Sequence, residues 1–350
     1  MTCKYEVCSA LISATIGDGV SIIEHDAFSF CTNLTTLNIG KNIKTIDSFL
    51  GCEKLQTINI SDLSAWCNIL DITIGNGSGF AGSSGYHLYL NGKELKDLKI
   101  PNDVKCLHPQ AFAHCLSIES IFIPNNIEKI ENNPFYDCDN LFSIKVEEGN
   151  KFYDSRGDCN AIIEKTTNKL IVGSKETVIP AGIKCIGKAA FFGCKGLNTI
   201  DIPNSVTSID ECAFAYCTKL LSLSLSDNTG TIGDFAFAGC TGIRAIDIPD
   251  GVKTISMGSF SDCESLHTIT LPKSITAIRD NAFQYCENLS SIVCYAVSPP
   301  KCDDYSNPDY PVFKGVDRET CVVYVPQGSV ESYKKAYVWS SFKHVVAIEE

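Results

Sequence analysis

The sequence predicts a β-rich solenoid: a stack of about eleven coils of 23 residues, with two β-hairpin insertions and a C-terminal cap. Three observations predict it, namely a recurring Phe-x-x-Cys motif, a constant spacing between aliphatic residues, and a strand-like alternation inside each repeat. Because a repeat array grows in one dimension, 350 residues need not divide into several globular domains.

The recurring motif sets the period of the chain. Five phenylalanines, each followed three residues later by a cysteine, succeed one another at intervals of 23 residues from Phe191 to Phe283. Further copies begin at Phe28, Phe112 and Phe135, and a shortened copy begins at Phe49. Counted between the aliphatic residues that begin each coil, the lengths are 23, 21, 40, 23, 23, 33 and then five times 23. Chance does not produce eight coils of equal length out of eleven.

The pattern inside one coil predicts two short strands and a corner. From Leu197 to Ile202 the aliphatic residues alternate with polar ones, as in a strand with one buried face. Pro203 has no N–H to donate to a ladder and ends that strand. Val206 and Ile209 predict a second extended segment, and the motif phenylalanine then fills the space at the corner.

These repeats resemble the leucine-rich repeats of the BspA-like bacterial surface proteins, and the resemblance runs from Ile16 to the end of the chain. It implies a right-handed leucine-rich-repeat stack. It also implies a surface or secreted bacterial protein that binds proteins or mediates adhesion without being an enzyme. The ligand is not specified by this resemblance.

Two coils depart from the period in ways that also look like the family. The coil of 40 residues carries Asp62–Cys67 and then Leu88–Leu95, and the coil of 33 carries Tyr153–Arg156 followed by Cys159–Glu164. Both are expected to be β-hairpins that project from the stack, and the Asn-Gly pair at 91–92 predicts a type I′ turn.

The same pattern predicts the domain limits. Residues 1–294 form the solenoid, with insertions at about 61–99 and 147–178, and residues 295–350 form a capping segment. Within that segment we expect a last strand at 322–326, a short helix at 329–336, and a covered core end under Trp339 and Phe342.

Charge narrows the classes of partner. The net charge is −12, with 29 basic residues, which argues against nucleic acid because such binding requires a cationic face. No run of 18 apolar residues predicts membrane insertion. The first six residues do not look like a signal peptide, so a cytoplasmic location is the alternative to the cell surface. We expect a monomer that binds a protein or another macromolecule.

The 19 cysteines predict a structural role more than a chemical one. Nine share one position of the coil and are expected to form a buried ladder of thiols: Cys31, Cys52, Cys115, Cys138, Cys194, Cys217, Cys240, Cys263 and Cys286. Cys-x-x-Cys pairs and a His-Glu-x-x-His motif are absent, so no metal site is predicted. No cofactor is predicted either, because the G-x-G-x-x-G match at 77–82 precedes a strand-like segment rather than a helix.

The outward positions of the first strands are the predicted ligand-binding residues. The principal ones are Phe122, Lys145, Thr199, Asp201, Ser222, Ser224, Asp247, Thr268 and Thr270. Ser120, Ser143 and Ala245 occupy equivalent positions. A merely solvated β-face is the plainer interpretation of the same pattern.

Two other interpretations are weighed against this surface. Arg156, Gly157 and Asp158 form an Arg-Gly-Asp sequence that would be an adhesion loop if the hairpin met host integrins. Asp201 and Asp247 would lie roughly 9–10 Å apart, near the carboxylate separation of an inverting glycosidase. No catalytic residue is predicted, since nothing around these aspartates indicates a cleft. An intracellular scaffold for protein–protein interaction is the principal alternative to adhesion.

Overall fold

The computed structural model describes residues 8–24, 26–46, 49, 51–72, 85–303 and 311–349. The chain separates into two compact units, residues 1–165 and residues 166–350. Each unit is built from coils that stack through parallel β-pairing.

Unit 1 contains fifteen short strands, one α-helix and one 3₁₀ turn among its described residues. In chain order they are β1 (Ser13–Ile16), β2 (Ile22–Ile23), β3 (Thr36–Ile39), β4 (Thr45–Ile46), β5 (Thr57–Ile60), α1 (Leu63–Cys67), β6 (Asp71–Ile72), β7 (His87–Leu90), β8 (Lys93–Glu94), β9 (Asp97–Lys99), β10 (Cys106–Leu107), β11 (Ser120–Ile123), β12 (Lys129–Ile130), β13 (Ser143–Val146), β14 (Tyr153–Asp154), the 3₁₀ turn (Arg156–Asp158) and β15 (Ala161–Glu164).

Unit 2 continues the same alternation of a longer and a two-residue strand. Its elements are β16 (Lys169–Gly173), β17 (Cys185–Ile186), β18 (Thr199–Asp201), β19 (Ser208–Ile209), β20 (Ser222–Ser224), β21 (Thr231–Ile232), β22 (Ala245–Asp247), β23 (Thr254–Ile255), β24 (Thr268–Leu271), β25 (Ala277–Ile278), β26 (Ser291–Cys294), β27 (Lys301–Cys302), β28 (Val322–Val325), α2 (Val330–Lys335) and β29 (His344–Ala347). Three 3₁₀ turns lie at Pro311–Phe313, Gln327–Ser329 and Trp339–Ser341.

Each coil contributes its first strand to a front sheet and its second strand to a back sheet. The front sheets are β1-β3-β5-β7 and β9-β11-β13 in unit 1, and β18-β20 and β22-β24-β26-β28-β29 in unit 2. The back sheets are β2-β4-β6 and β10-β12 in unit 1, and β16-β17-β19-β21 and β23-β25-β27 in unit 2. Neighbouring strands in these sheets are parallel, so the fold is the predicted β-solenoid.

The period of 23 residues fixes the register of the ladders. Ala245 pairs with Thr268 and Ser208 pairs with Thr231, each exactly one period along the chain. Because every coil keeps the same register, equivalent side chains lie above one another, and the inward aliphatic residues form continuous buried columns.

The corner of the coil holds the phenylalanine stack that the motif predicts. Phe191, Phe214, Phe237, Phe260 and Phe283 are fully buried. Their rings are stacked at centroid distances of 4.9–5.7 Å and are parallel to within 8°. The prediction that these side chains fill the space at the corner is confirmed.

The stack continues beyond the last 23-residue coil. β26 pairs with β28, and β28 pairs with β29, although the first of these steps takes 31 residues and the second takes 22. The fold therefore has about 13 turns rather than the eleven counted from the sequence. Helix α2 forms where it was expected, while the strand at 322–325 is followed by a further one.

The end of the phenylalanine stack is covered by aromatic side chains. Phe283 stacks on Phe313, and both Trp339 and Phe342 meet the Phe313 ring edge-on, at 5.8 and 5.2 Å between centroids. The indole N–H of Trp339 donates a hydrogen bond to the carbonyl of Pro300, so its polar atom is satisfied although the side chain is buried.

Of the two insertions, the first is only partly a hairpin. β7 and β8 are antiparallel around Asn91 and Gly92, whose φ angles of 51° and 80° agree with the predicted type I′ turn. However, β7 also pairs in parallel with β5, so this strand belongs to the front sheet. The segment at 62–67 is not a strand: Asp62 caps the helix α1 by accepting a hydrogen bond from the N–H of Ala65.

Candidate binding surface

The outward side of the front sheet in unit 2 carries an aligned set of polar side chains, which we call the front column: Asp201, Ser224, Asp247 and Thr270. Asp201 pairs with Ser224 and Asp247 pairs with Thr270 across parallel ladders. Each strand alternates around a buried aliphatic residue, which directs these four side chains outward. The first three residues are exposed and Thr270 is half-buried.

A second column runs beside the first, two residues earlier in each strand. Thr199, Ser222 and Ala245 are exposed and Thr268 is half-buried. Together the two columns present small hydroxyl groups and two carboxylates. The structure therefore places these predicted residues of unit 2 on one face.

The front column extends further than its periodicity indicated. Val293, Tyr324 and Val346 continue the line from Thr270, through the pairing of β24, β26, β28 and β29. The last part of the column is thus apolar and aromatic instead of polar. Sequence reasoning missed these residues because their spacings of 31 and 22 are not multiples of the period.

In unit 1 the equivalent position holds an aromatic residue between two cations. Phe122 of β11 pairs with Lys99 of β9 on one side and with Lys145 of β13 on the other. The Lys99 ammonium lies 5.4 Å from the centre of the Phe122 ring, within the range of a cation–π interaction. In the adjacent column, Ser120 donates a hydrogen bond of 2.6 Å to Asp97, and Ser143 is aligned with Ser120.

Another part of unit 1 presents a row of amides that the sequence did not single out. The side-chain amide of Asn38 donates to the Thr15 hydroxyl at 3.1 Å, and that of Asn59 donates to the Asn38 amide oxygen at 2.9 Å. These three residues lie one coil apart and line a shallow open cleft together with Asn91 and Gly92. A row of this kind can both donate and accept hydrogen bonds toward a polar ligand.

The Arg-Gly-Asp sequence forms a 3₁₀ turn in the connection between the antiparallel strands β14 and β15. Gly157 and Asp158 are exposed, whereas Arg156 is half-buried. The guanidinium Nε of Arg156 donates to the Asp154 carboxylate at 2.9 Å. Engagement by a receptor would therefore have to compete with an intramolecular ion pair.

The cysteine ladder lies beside the phenylalanine stack. Most of the nine residues are buried, while Cys52 and Cys194 are half-buried. The thiols of Cys217, Cys240 and Cys263 each donate to the carbonyl of the phenylalanine 26 residues earlier, at 3.1–3.2 Å. Burial raises the pKa of Cys240 to about 12, so these thiols carry little thiolate at neutral pH.

One group of potential metal ligands emerges only in the structure. Cys106 and His108 flank the buried Leu107 of β10, and Glu131 follows β12, the parallel neighbour. One ligand atom from each of these three residues lies within 4.8 Å of the other two. The spacing of 23 between His108 and Glu131 was a usable signal, but no motif marked Cys-x-His as a pair of ligands.

The chemistry weighed as an alternative finds little geometric support. Asp201 and Asp247 are both exposed on an open β-face, and neither lines any cleft found in the described residues. The G-x-G-x-x-G match at 77–82 lies outside the described residues. Among the helices that are described, none combines the length and the apolar composition needed to cross a bilayer.

The comparisons with known proteins agree on the fold. Six copies of the BspA-type leucine-rich-repeat region match residues 3–71, 65–156 and 162–292. The chain is similar to a leucine-rich-repeat protein from Eubacterium ventriosum, with 20% identity, a TM-score of 0.57 and coverage of 81% of this chain and 83% of that chain. No curated protein matches the sequence significantly.

Two further solved structures are similar. The pneumococcal vaccine antigen PcpA is 18% identical, with a TM-score of 0.59 over 95% of this chain and 85% of that chain. A leucine-rich cell surface protein from Faecalibacterium prausnitzii is 23% identical, with a TM-score of 0.50 over 85% of this chain and 86% of that chain. At these identities the structures establish the fold, and the matched repeats, which span most of the sequence, establish the family. The chain belongs to the BspA-type leucine-rich-repeat family.

Proposed function

We propose that this chain is a non-catalytic binding protein that uses the outward side of its front sheets for adhesion or protein binding. The partner is a protein or another macromolecule that lies across several coils at once. On this proposal the front column contributes contacts from Asp201, Ser224, Asp247 and Thr270, together with the neighbouring Thr199, Ser222 and Thr268. In unit 1 the contacts come from Phe122 and Lys145.

The observation that carries this proposal is the alignment of equivalent side chains on an open face. Small ligands require concave sites that bury most of their surface, whereas an extended open face suits a large partner. The continuation of the column through Val293, Tyr324 and Val346 supplies apolar and aromatic area, which is where interface energy concentrates. The net charge of −12 favours a partner with a cationic contact surface.

A location at the cell surface or in the secreted fraction follows from the family, whose members are generally surface proteins. The alternative is an intracellular scaffold, and one observation favours it. The cysteines of the described residues are free thiols, which persist most readily in a reducing compartment. Cell fractionation of the source organism with an antibody against this chain distinguishes the two locations.

The contribution of the column can be tested with two charge-reversed pairs. Fluorescent beads coated with the purified protein are added to fixed epithelial cells, and attached beads are counted. We expect Asp201→Arg with Asp247→Arg to reduce attachment several-fold, because a cation replaces an anion in the middle of the column. Asp227→Arg with Asp250→Arg makes the same change of charge at exposed turn residues and should leave attachment unchanged.

The hairpin variant Arg156→Ala with Asp158→Ala separates the two adhesive hypotheses. We expect it to attach as the wild type does. If this variant alone abolishes attachment, the Arg-Gly-Asp turn is the adhesive site and the column is only scaffold. Wild-type beads that do not attach at all would contradict adhesion and leave the intracellular scaffold as the candidate.

A further inference from the structure

The back sheet of unit 1 carries the cluster of Cys106, His108 and Glu131, which the binding surface does not use. Cys106 and His108 are two residues apart around the buried Leu107 of β10, so their side chains point to the same, outward side. The register of β10 with β12 pairs Leu107 with Ile130, which places Glu131 beside His108. Three ligand types therefore meet on one face of two adjacent coils.

The distances suit a small metal ion. In a tetrahedral zinc site, the bond lengths of about 2.0 Å to nitrogen or oxygen and about 2.3 Å to sulfur place neighbouring ligand atoms roughly 3.3–3.5 Å apart. The Nδ1 atom of His108 already lies 3.5 Å from Oε2 of Glu131. One atom from each of the three residues lies within 4.8 Å of the others, so rotation of side chains alone can complete the set.

The neighbouring charges leave one carboxylate oxygen available. Lys129 forms an ion pair with Oε1 of Glu131, whereas Oε2 faces His108. The hydrogen bond from Lys129 lowers the pKa of Glu131, so this carboxylate is charged at neutral pH, as a metal ligand must be. Lys129 would then orient the carboxylate from outside the ligand set.

Burial of the cluster is intermediate, which suits binding from solution. The side chains of His108 and Glu131 are 20% and 29% exposed, and Cys106 is half-buried. Leu107 and Ile130 close the inner side, so an ion would be held against an apolar floor with its outer side open to water. Three protein ligands and one open position are a recurrent arrangement for zinc.

We propose that Cys106, His108 and Glu131 bind one zinc ion, with water in the fourth position. The thiolate of Cys106, a ring nitrogen of His108 and Oε2 of Glu131 are the ligands, and the proton of the thiol is released to solvent on binding. Sulfur and imidazole together select zinc over calcium or magnesium, which prefer oxygen ligands.

The equivalent coil of unit 2 provides a natural control. Cys185 occupies the same position of its strand β17, but glycine stands at 187 where unit 1 has histidine. The neighbouring acid, Asp210, forms an ion pair of 2.5 Å with Lys169. This group keeps the thiol and the carboxylate and lacks the imidazole, so it should not bind zinc tightly.

The test uses the full chain, reduced, stripped of metal with a chelator and desalted, and titrated with Co²⁺ as a spectroscopic probe. We expect one equivalent to produce a near-ultraviolet thiolate-to-cobalt charge-transfer band, which one equivalent of Zn²⁺ removes. Cys106→Ser should abolish the band, and His108→Gln should weaken Zn²⁺ affinity roughly tenfold or more. Cys185→Ser should behave as the wild type.

A second measurement keeps the test valid if a variant fails to fold. Alkylation of the wild-type chain with and without one equivalent of Zn²⁺, mapped by mass spectrometry, should show protection of Cys106 and none of Cys185. A charge-transfer band that persists in Cys106→Ser, or equal protection of both cysteines, would overturn the proposal. So would the absence of the band in the wild-type protein.

Discussion

At the scale of single residues, each coil corner holds two side chains that depend on each other: a buried phenylalanine and a cysteine three residues later. The phenylalanine stacks between its neighbours, and the cysteine thiol donates to the carbonyl of the phenylalanine in the preceding coil. A thiol is small enough for this position and satisfies a carbonyl that would otherwise lack a partner there. The repetition of cysteine is thereby explained by packing and hydrogen bonding.

The phenylalanine stack should dominate stability at this scale. Phe237 is fully buried and lies 5.4 and 5.5 Å from the rings of Phe214 and Phe260. We expect Phe237→Ala to lower the free energy of unfolding by about 3–5 kcal/mol, because it leaves a cavity in the middle of the stack. Thr268→Ala on the front sheet should change it by at most about 0.5 kcal/mol. Urea unfolding curves of the two variants provide the measurement, and equal losses would refute the assignment of inward and outward positions.

At the scale of elements, the corner of the coil has an unusual backbone. The residue before the ladder cysteine has a positive φ in coil after coil, with 60° at Tyr216, 68° at Gly239 and 57° at Asp262. Such a conformation costs a non-glycine residue about 1–2 kcal/mol. The corners offset this cost by hydrogen bonding to one another, as when the N–H of Tyr216 donates to the carbonyl of Ala238 at 2.7 Å. The corners therefore add a third line of contacts beside the front and back sheets.

The turn between β7 and β8 offers a direct test of backbone conformation. Gly92 has a φ of +80°, and a methyl group added there would meet no atom within 4 Å. We expect Gly92→Ala to destabilise unit 1 by about 1–2 kcal/mol through backbone strain alone. Gly19 is equally open but has no positive φ, so Gly19→Ala should have a much smaller effect. The measurement is the shift in thermal midpoint, and similar shifts for the two variants would rule out a strained turn.

At the scale of the whole molecule, the buried thiols form a large set with a common property. Burial raises the pKa of Cys240, Cys286 and Cys321 from the ordinary value of 9.0 to about 12. In the unfolded chain these thiols ionise near 9, whereas in the folded chain they keep their protons. The stability that they contribute is therefore fully present below pH 9 and is lost as the pH rises toward 12.

We accordingly expect the chain to be selectively sensitive to alkali under reducing conditions. Between pH 8 and pH 10.5, one such thiol should account for a loss of about 2 kcal/mol in the free energy of unfolding. Cys240→Ala should therefore show a weaker pH dependence than the wild type in urea unfolding at the two pH values. Cys8→Ala, which changes an exposed thiol, is the matched control. Identical pH dependence in both variants would contradict the linkage.

Short-range pattern alone determined a large part of this protein. The 23-residue period predicted the solenoid, the phenylalanine stack and the register that aligns Asp247 with Thr270. The Asn-Gly pair predicted the turn at 91–92. These features depend on residues whose inward or outward direction follows from alternation along the same strand, so the sequence was sufficient to predict them.

The tertiary structure decided what lies next to what once the spacing became irregular. After Cys294 the steps of 31 and 22 residues hid the continuation of the ladder to Tyr324 and Val346. Likewise, Cys106 and Glu131 come together only because the two-residue strands β10 and β12 pair in register. Alternation fixes the face on which a side chain lies, but neighbours across coils depend on where each chain segment enters the stack. That entry point is set by packing of the complete core.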